Sequence, residues 1–250
     1  MFNNCNPKTN GELFFYNKIQ NNINTIFDVG CRVDSEFINF KGNVHYFDPV
    51  EKFINDIKPI PKLNNNSYYN SFGLGSTNEE KYYYPNYQSF YNRTVSCSTN
   101  DDKNKIKLQI KKGIDYMKNN DIPRVDFLKI DTEGYEFEVI KGFEEYIENI
   151  HIIQFEYGGT FMDNNVKLND VITYLKNYNF TNFCYLSQNK LIKIEDMVNF
   201  IIDTIKQAQK HGYPAKIKAI HNGIINDHYN YSNIVCINKN SDLQNLFNSL

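Results

Sequence analysis

Tryptophan is absent from the 250-residue sequence, and cysteine (five), proline (seven) and glycine (twelve) are sparse. Cys5, Cys31, Cys97, Cys184 and Cys236 are odd in number, widely spaced and form no CxxC pair, so neither a disulfide framework nor a zinc cluster is indicated. No apolar run approaches the ~20 residues that span a bilayer. The opening MFNNCNPKTNGELFF lacks a charged segment followed by an apolar one, as a secretory leader requires. The expectation is a cytoplasmic protein without a membrane span. Neither sign of charge dominates: a formal net charge of −2 removes the basic excess on which nucleic-acid binding rests. The GxGxxG fingerprint is missing, which argues against a nicotinamide cofactor.

What is present is a globular composition, 41% hydrophobic and 15% aromatic with 19 Tyr and 19 Phe, ample for one core in a chain of single-domain length. We expect one domain over residues 1–250, opened by a helical extension at 1–24 and carrying an insertion at 189–232. Asparagine runs such as Asn64-Asn65-Asn66 reflect coding bias rather than chemistry. The one dense basic stretch, Lys103, Lys105, Lys107, Lys111 and Lys112, alternates with Ile106, Leu108 and Ile110, the period of a strand with one solvated face.

Periodicity and turn residues predict helices at 11–22, 49–57, 133–148 and 168–178, with another near 194–209 and a short terminal one. Strands are expected at 25–29, 44–47, 68–72, 82–84, 125–130, 150–155, 180–186 and 233–237. The unbroken apolar character of 125–130 fits a strand covered on both faces, as in a parallel sheet between helix layers. There is no internal repeat.

The informative feature is the order of four strand-end motifs: Phe27-Asp28-Val29-Gly30-Cys31, Tyr46-Phe47-Asp48-Pro49, Gly73-Leu74-Gly75 and Lys129-Ile130-Asp131-Thr132-Glu133-Gly134. Ligands of open α/β sheets bind beyond the carboxyl ends of the strands, where these motifs converge. Asp48 stands where such folds place the acidic residue that accepts both ribose hydroxyls, with Phe47 and Phe53 as candidates to flank an adenine. Asp131, Glu133 and Glu156 offer carboxylates at adjacent strand ends, and crowding of like charge raises at least one pKa toward that of a useful base. The same three could hold Mg2+, a reading not favoured because no His or Asp pair has ligand spacing. His45 reads as a core residue, and His211, His221 and His228 are alternative bases in the insertion.

Residues 125–143, VDFLKIDTEGYEFEVIKGF, resemble the signature segment of FkbM-type methyltransferases. The resemblance extends to the opening helix, the Asp28-Val29-Gly30 loop, Phe47-Asp48-Pro49, the Gly73 turn and Gln154-Phe155-Glu156-Tyr157, across roughly residues 12 to 158. It implies an α/β, class I methyltransferase (Rossmann-like) fold: a doubly wound sheet, mostly parallel, with an antiparallel last strand. It also implies methyl transfer from S-adenosylmethionine to a hydroxyl of a sugar, glycan or similar small polar acceptor. Asp28, Gly30, Cys31, Asp48, Pro49, Gly73, Leu74 and Asp131 would then surround the cofactor, and Asp131, Glu133 and Glu156 would be catalytic. Tyr91, Arg93 and Glu156 would meet the acceptor, because tyrosine faces suit a sugar ring. Two departures stand out: Cys31-Arg32 replaces the family's usual Ala-Asn, and Asp48 its usual Glu. An RNA methyltransferase of the same fold and a non-catalytic adenosyl-binding protein are the alternatives. Oligomeric state is not legible in the sequence.

Overall fold

In the computed structural model, residues 6–61, 66–92, 103–187, 189–194, 220–221, 224–225 and 232–244 are described. The centre is an eight-stranded sheet in the order β10-β9-β13-β8-β7-β1-β2-β3. Its strands are β1 (Thr25–Val29), β2 (Asn43–Phe47), β3 (Ser67–Asn70), β7 (Val125–Ile130), β8 (Ile150–Tyr157), β9 (Phe180–Ser187), β10 (Lys190–Lys193) and β13 (Ser232–Asn238). From β3 through β2, β1 and β7 to β8 every pairing is parallel. Beyond β8 the sheet is antiparallel: β13 pairs with both β8 and β9, and β10 folds back on β9. Antiparallel pairing is therefore not confined to one strand, because β10 closes a hairpin at the start of the expected insertion. Between 195 and 231 the described residues are the short pair β11 (Ile220–His221) and β12 (Ile224–Ile225).

The strands bury opposite faces, as a period of two demands. On one face Ile26, Val44, Phe127 and Ile152 pack with Phe15, Ile19, Phe37, Ile54 and Ile57, under α1 (Glu12–Ile19) and α2 (Glu51–Ile57). On the other, Phe27, Leu128, Ile153 and Phe155 join Met117, Val139, Val171 and Leu175. These helical residues come from α3 (Gly113–Asn119), α4 (Glu136–Lys141) and α5 (Leu168–Lys176). Helices on both faces make the fold doubly wound. A small sheet, β4 (Gly73–Gly75), β6 (Ile106–Lys112) and β5 (Glu79–Tyr83), joins in the order β4-β6-β5.

The single helix expected over 133–148 is two pieces, α4 and a 3-10 turn at Glu144–Asn149. The break falls where Glu144 takes a φ of 48°, a conformation that ends helices. Helix α3, unforeseen in the sequence, starts at a glycine whose Cα lies against Phe143: a Cβ on Gly113 would stand 2.5 Å from that ring.

Candidate functional site

The register explains how polar residues collect at one sheet edge. Asp28 lies opposite Lys129 in the β1–β7 pair, and Lys129 opposite Gln154 in the β7–β8 pair. All three follow, two residues on, the buried Ile26, Phe127 and Ile152 of the helix α1 face. That face thus turns from apolar to polar at the carboxyl end of the sheet. One row further on come Gly30, Asp131 and Glu156, in the same sense of the pleat.

Gly30 is the pivot. Its φ is +84°, and a Cβ there would stand 1.8 Å from the Asp131 carbonyl oxygen, so only glycine lets the first loop pass the end of β7. The Gly30 N–H donates to the Phe47 carbonyl at 2.8 Å and the Asp131 N–H to the Val29 carbonyl at 2.9 Å, stitching the three strand ends together.

Around this pivot is a cavity of about 180 Å³ lined by Glu12, Asp28, Gly30, Arg32, Glu36 and Lys129, among others. Lys129 Nζ lies 3.7 Å from Glu12, 3.6 Å from Glu36 and 3.9 Å from Asp131. These carboxylates hold the lysine charged, with a pKa well above its usual range despite burial. Asp28, 2% exposed, accepts from Ser35 Oγ at 2.6 Å. Burial pushes its pKa up to about 7, against the pull of Lys129. Glu12 comes from the start of α1, held by Asn10 at 2.7 Å and by Gln154 Nε2 at 3.0 Å.

Asp48 closes β2. It is 3% exposed; its Oδ1 accepts from the Val50 N–H at 2.8 Å and its Oδ2 from Arg32 Nη1 at 2.5 Å. Pro49 is half-buried beside Gly73, whose Cβ would stand 3.6 Å from the Pro49 Cβ. Phe47, Leu74 and Cys31 are buried in the core, so Leu74 and Cys31 offer a ligand little beyond their main chain. Burial, with Asp28 and Asp48 close by, drives the Cys31 thiol pKa well up, which removes it as a nucleophile at neutral pH. Phe53 carries the Arg32 guanidinium 3.9 Å above its ring.

Carboxylate oxygens of Asp131, Glu133 and Glu156 all lie within 4.8 Å of one another. Burial, then Asp131 and Glu133, pushes the Glu156 pKa well above the usual carboxylate range. Glu136 shapes the loop that carries Glu133. Its Oε1 accepts from the Thr132 and Gly134 N–H groups at 3.0 and 3.1 Å and from Thr132 Oγ1 at 3.2 Å. Glu133 and Gly134 accordingly both take positive φ, 54° and 104°. Ser89 Oγ donates to the Glu133 carbonyl at 2.7 Å, and Tyr91, two residues on, packs on Tyr135 at 5.6 Å between ring centroids. Arg93, His211 and His228 lie outside the described residues, and His45 is a core residue bonded through Nδ1 to Tyr116 at 2.8 Å.

The model of the methyltransferase FkbM domain matches residues 28–181. The chain belongs to the FkbM methyltransferase family. No curated protein and no solved structure matches it. The matched stretch of this FkbM chain begins at Asp28 and takes in every strand-end motif through Glu156, whereas Glu12, the α1 wall of the cavity, precedes it. Among the described residues no helix is long and apolar enough to cross a membrane.

Lys129, Glu12, Ser35 and Glu36 are site residues that sequence reasoning missed. One signal was available: a lysine inside the apolar run VDFLKI must be paired to be buried. Glu136, whose burial the helical pattern does not announce, is 1% exposed and organises the loop at 132–134.

Proposed function

We propose that this FkbM domain transfers a methyl group from S-adenosylmethionine to a hydroxyl of a sugar, glycan or similar small polar acceptor. The observation that carries the reading is charge complementarity. The cavity and the strand ends beside it bring together Glu12, Asp28, Glu36, Asp131, Glu133 and Glu156, with Lys129 and Arg32 as the cations among them, an acidic excess that suits a ligand with ammonium and sulfonium groups. The donor set fits that cofactor: Asp48 would accept the ribose hydroxyls, while Asp28, Gly30 and the Lys129 cavity would take the methionyl end, beside Pro49, Gly73 and the main chain of Cys31 and Leu74. When bound, S-adenosylmethionine supplies an electrophilic methyl group whose leaving group needs no acid. The protein's task is then to align the acceptor oxygen and remove its proton.

Glu156 suits that proton transfer, because its raised pKa makes it a stronger base than an ordinary carboxylate. Asp131 and Glu133 keep that pKa high and flank the path between cofactor and acceptor. Tyr91 and Arg93 would border the acceptor, with residues 189–232 forming an insertion at its rim. Mg2+ at the three carboxylates is not favoured, since transfer from a sulfonium needs no Lewis acid to release its leaving group. Purified protein incubated with methyl-labelled S-adenosylmethionine and a panel of sugars, glycans, amines and RNA tests the reading. Label on a hydroxyl of a carbohydrate is the expected result, and label on RNA or an amine alone would refute it.

A further inference from the structure

Arg32 makes a set of contacts that resembles a nucleoside. Its guanidinium carbon lies over the Phe53 ring, 3.9 Å from the centroid, and Nη1 donates to Asp48 Oδ2 at 2.5 Å and to the Cys31 carbonyl at 2.9 Å. Nη2 donates to Gln88 Oε1 at 2.7 Å, tying the strand-end loop to the turn that follows β5. With Val50 on Oδ1 and Arg32 on Oδ2, both oxygens of a carboxylate that is only 3% exposed are engaged. A flat cation on an aromatic face and donors on a carboxylate are the interactions a purine and a ribose diol would make at the same place.

Resting on the cofactor reading above, we infer that Arg32 sets the cofactor affinity of this chain by competing with the ribose diol for Asp48. Cofactor entry replaces the Arg32 donor on Asp48 Oδ2 with ribose hydroxyls and moves the guanidinium off Phe53. No bond is made or broken covalently. The apparent affinity is reduced by the fraction of molecules in which Arg32 holds Asp48. Gln88 strengthens the hold, since it anchors the far side of the guanidinium.

The test is calorimetric titration of S-adenosylhomocysteine into the wild type, Arg32→Asn, Gln88→Asn and the same Arg32 change in an Asp48→Ala background. Asparagine at 32 keeps a donor but is too short to lie on Phe53. At 88 it tolerates the φ of 52° that Gln88 adopts and is too short to reach Arg32. Arg32→Asn should bind about tenfold more tightly, Gln88→Asn should tighten binding by a smaller factor, and the gain should vanish without Asp48. Equal or weaker binding by a folded Arg32→Asn overturns the inference. If that variant does not fold, Gln88→Asn decides: tighter binding supports competition and unchanged binding refutes it. Binding by wild type that weakens in Asp48→Ala but not in step with Arg32 sinks this inference alone, whereas no binding by any form sinks the cofactor reading with it.

Discussion

Replacing Gly30 by alanine should destabilise the protein and disable the site together. A φ of +84° is open to glycine, and an L-residue held there loses about 1–2 kcal/mol. The new Cβ would lie 1.8 Å from the Asp131 oxygen and 2.7 Å from its carbonyl carbon, both backbone atoms that no rotamer change can move aside. The ends of β1 and β7 must therefore part, and such overpacking costs about 1–3 kcal/mol more. A total near 3 kcal/mol lowers Tm by about 6–12 °C in a chain of this size. Gly73→Ala is the control: its Cβ would meet the Phe90 ring edge at 3.3 Å, a side chain that can give way, so Tm should move by no more than about 2 °C. Differential scanning calorimetry of both variants, with S-adenosylhomocysteine titrations of each, measures the contrast. Equal Tm values for Gly30→Ala and wild type would refute the argument that this glycine lets the first loop pass β7.

The site's titrations give a second prediction: Tm should be higher at pH 6 than at pH 8. Asp28 and Glu136 have folded-state pKa values pushed up to about 7 by burial, from 3.8 and 4.5. The folded protein therefore takes up protons that the unfolded chain does not, and stability grows as pH falls through about 7, by at most about 1.4 kcal/mol per unit and group. His45 works in the other direction, because burial lowers its pKa from 6.5 to about 4 and it withdraws stability as pH falls below 6.5. Asp28→Asn should shrink the gain between pH 8 and 6, and a Tm that falls over that interval in the wild type would contradict the assignment. Lys129→Met should cost about 3–5 kcal/mol, because it leaves Glu12, Asp28 and Glu36 without their cation; urea unfolding at pH 8 and pH 5 should show the loss smaller at the lower pH. Glu156→Gln should lower the methyl-transfer rate by about 10²–10⁴-fold with S-adenosylhomocysteine affinity retained, and Asp131→Asn should lower it less; a Glu156→Gln enzyme at the wild-type rate places the base elsewhere.

Much of this arrangement was legible because it is local. The runs TIFDVG, VHYFDP and VDFLKIDTEG combine an apolar strand with a polar or glycine end, which is enough to place β1, β2 and β7 and the carboxylates that follow them. What escaped depends on register and on distant partners. Glu12 and Lys129 lie 117 positions apart in the chain and meet only because α1 packs over the β7 end. Arg32 looked like a departure in a loop, and its role on Asp48 and Phe53 appears once β1 and β2 are adjacent. Helix α4 was read too long because helical periodicity continues through Gly142 and Phe143, and the apolar pattern does not report the positive φ at Glu144. The helical pattern also runs through 133–134 for a related reason: it does not report that the Thr132 and Gly134 N–H groups donate to Glu136 Oε1, which holds these residues outside the first helical turn.

The most direct test of the central claim is calorimetry of S-adenosylhomocysteine with the wild type and Asp48→Ala. Hydrogen bonds from a ribose to a carboxylate are each worth about 1.5–3 kcal/mol, so the account predicts micromolar binding by the wild type and a loss of tenfold or more in the variant. Equal affinity in the two proteins, or no binding to the wild type, would contradict it.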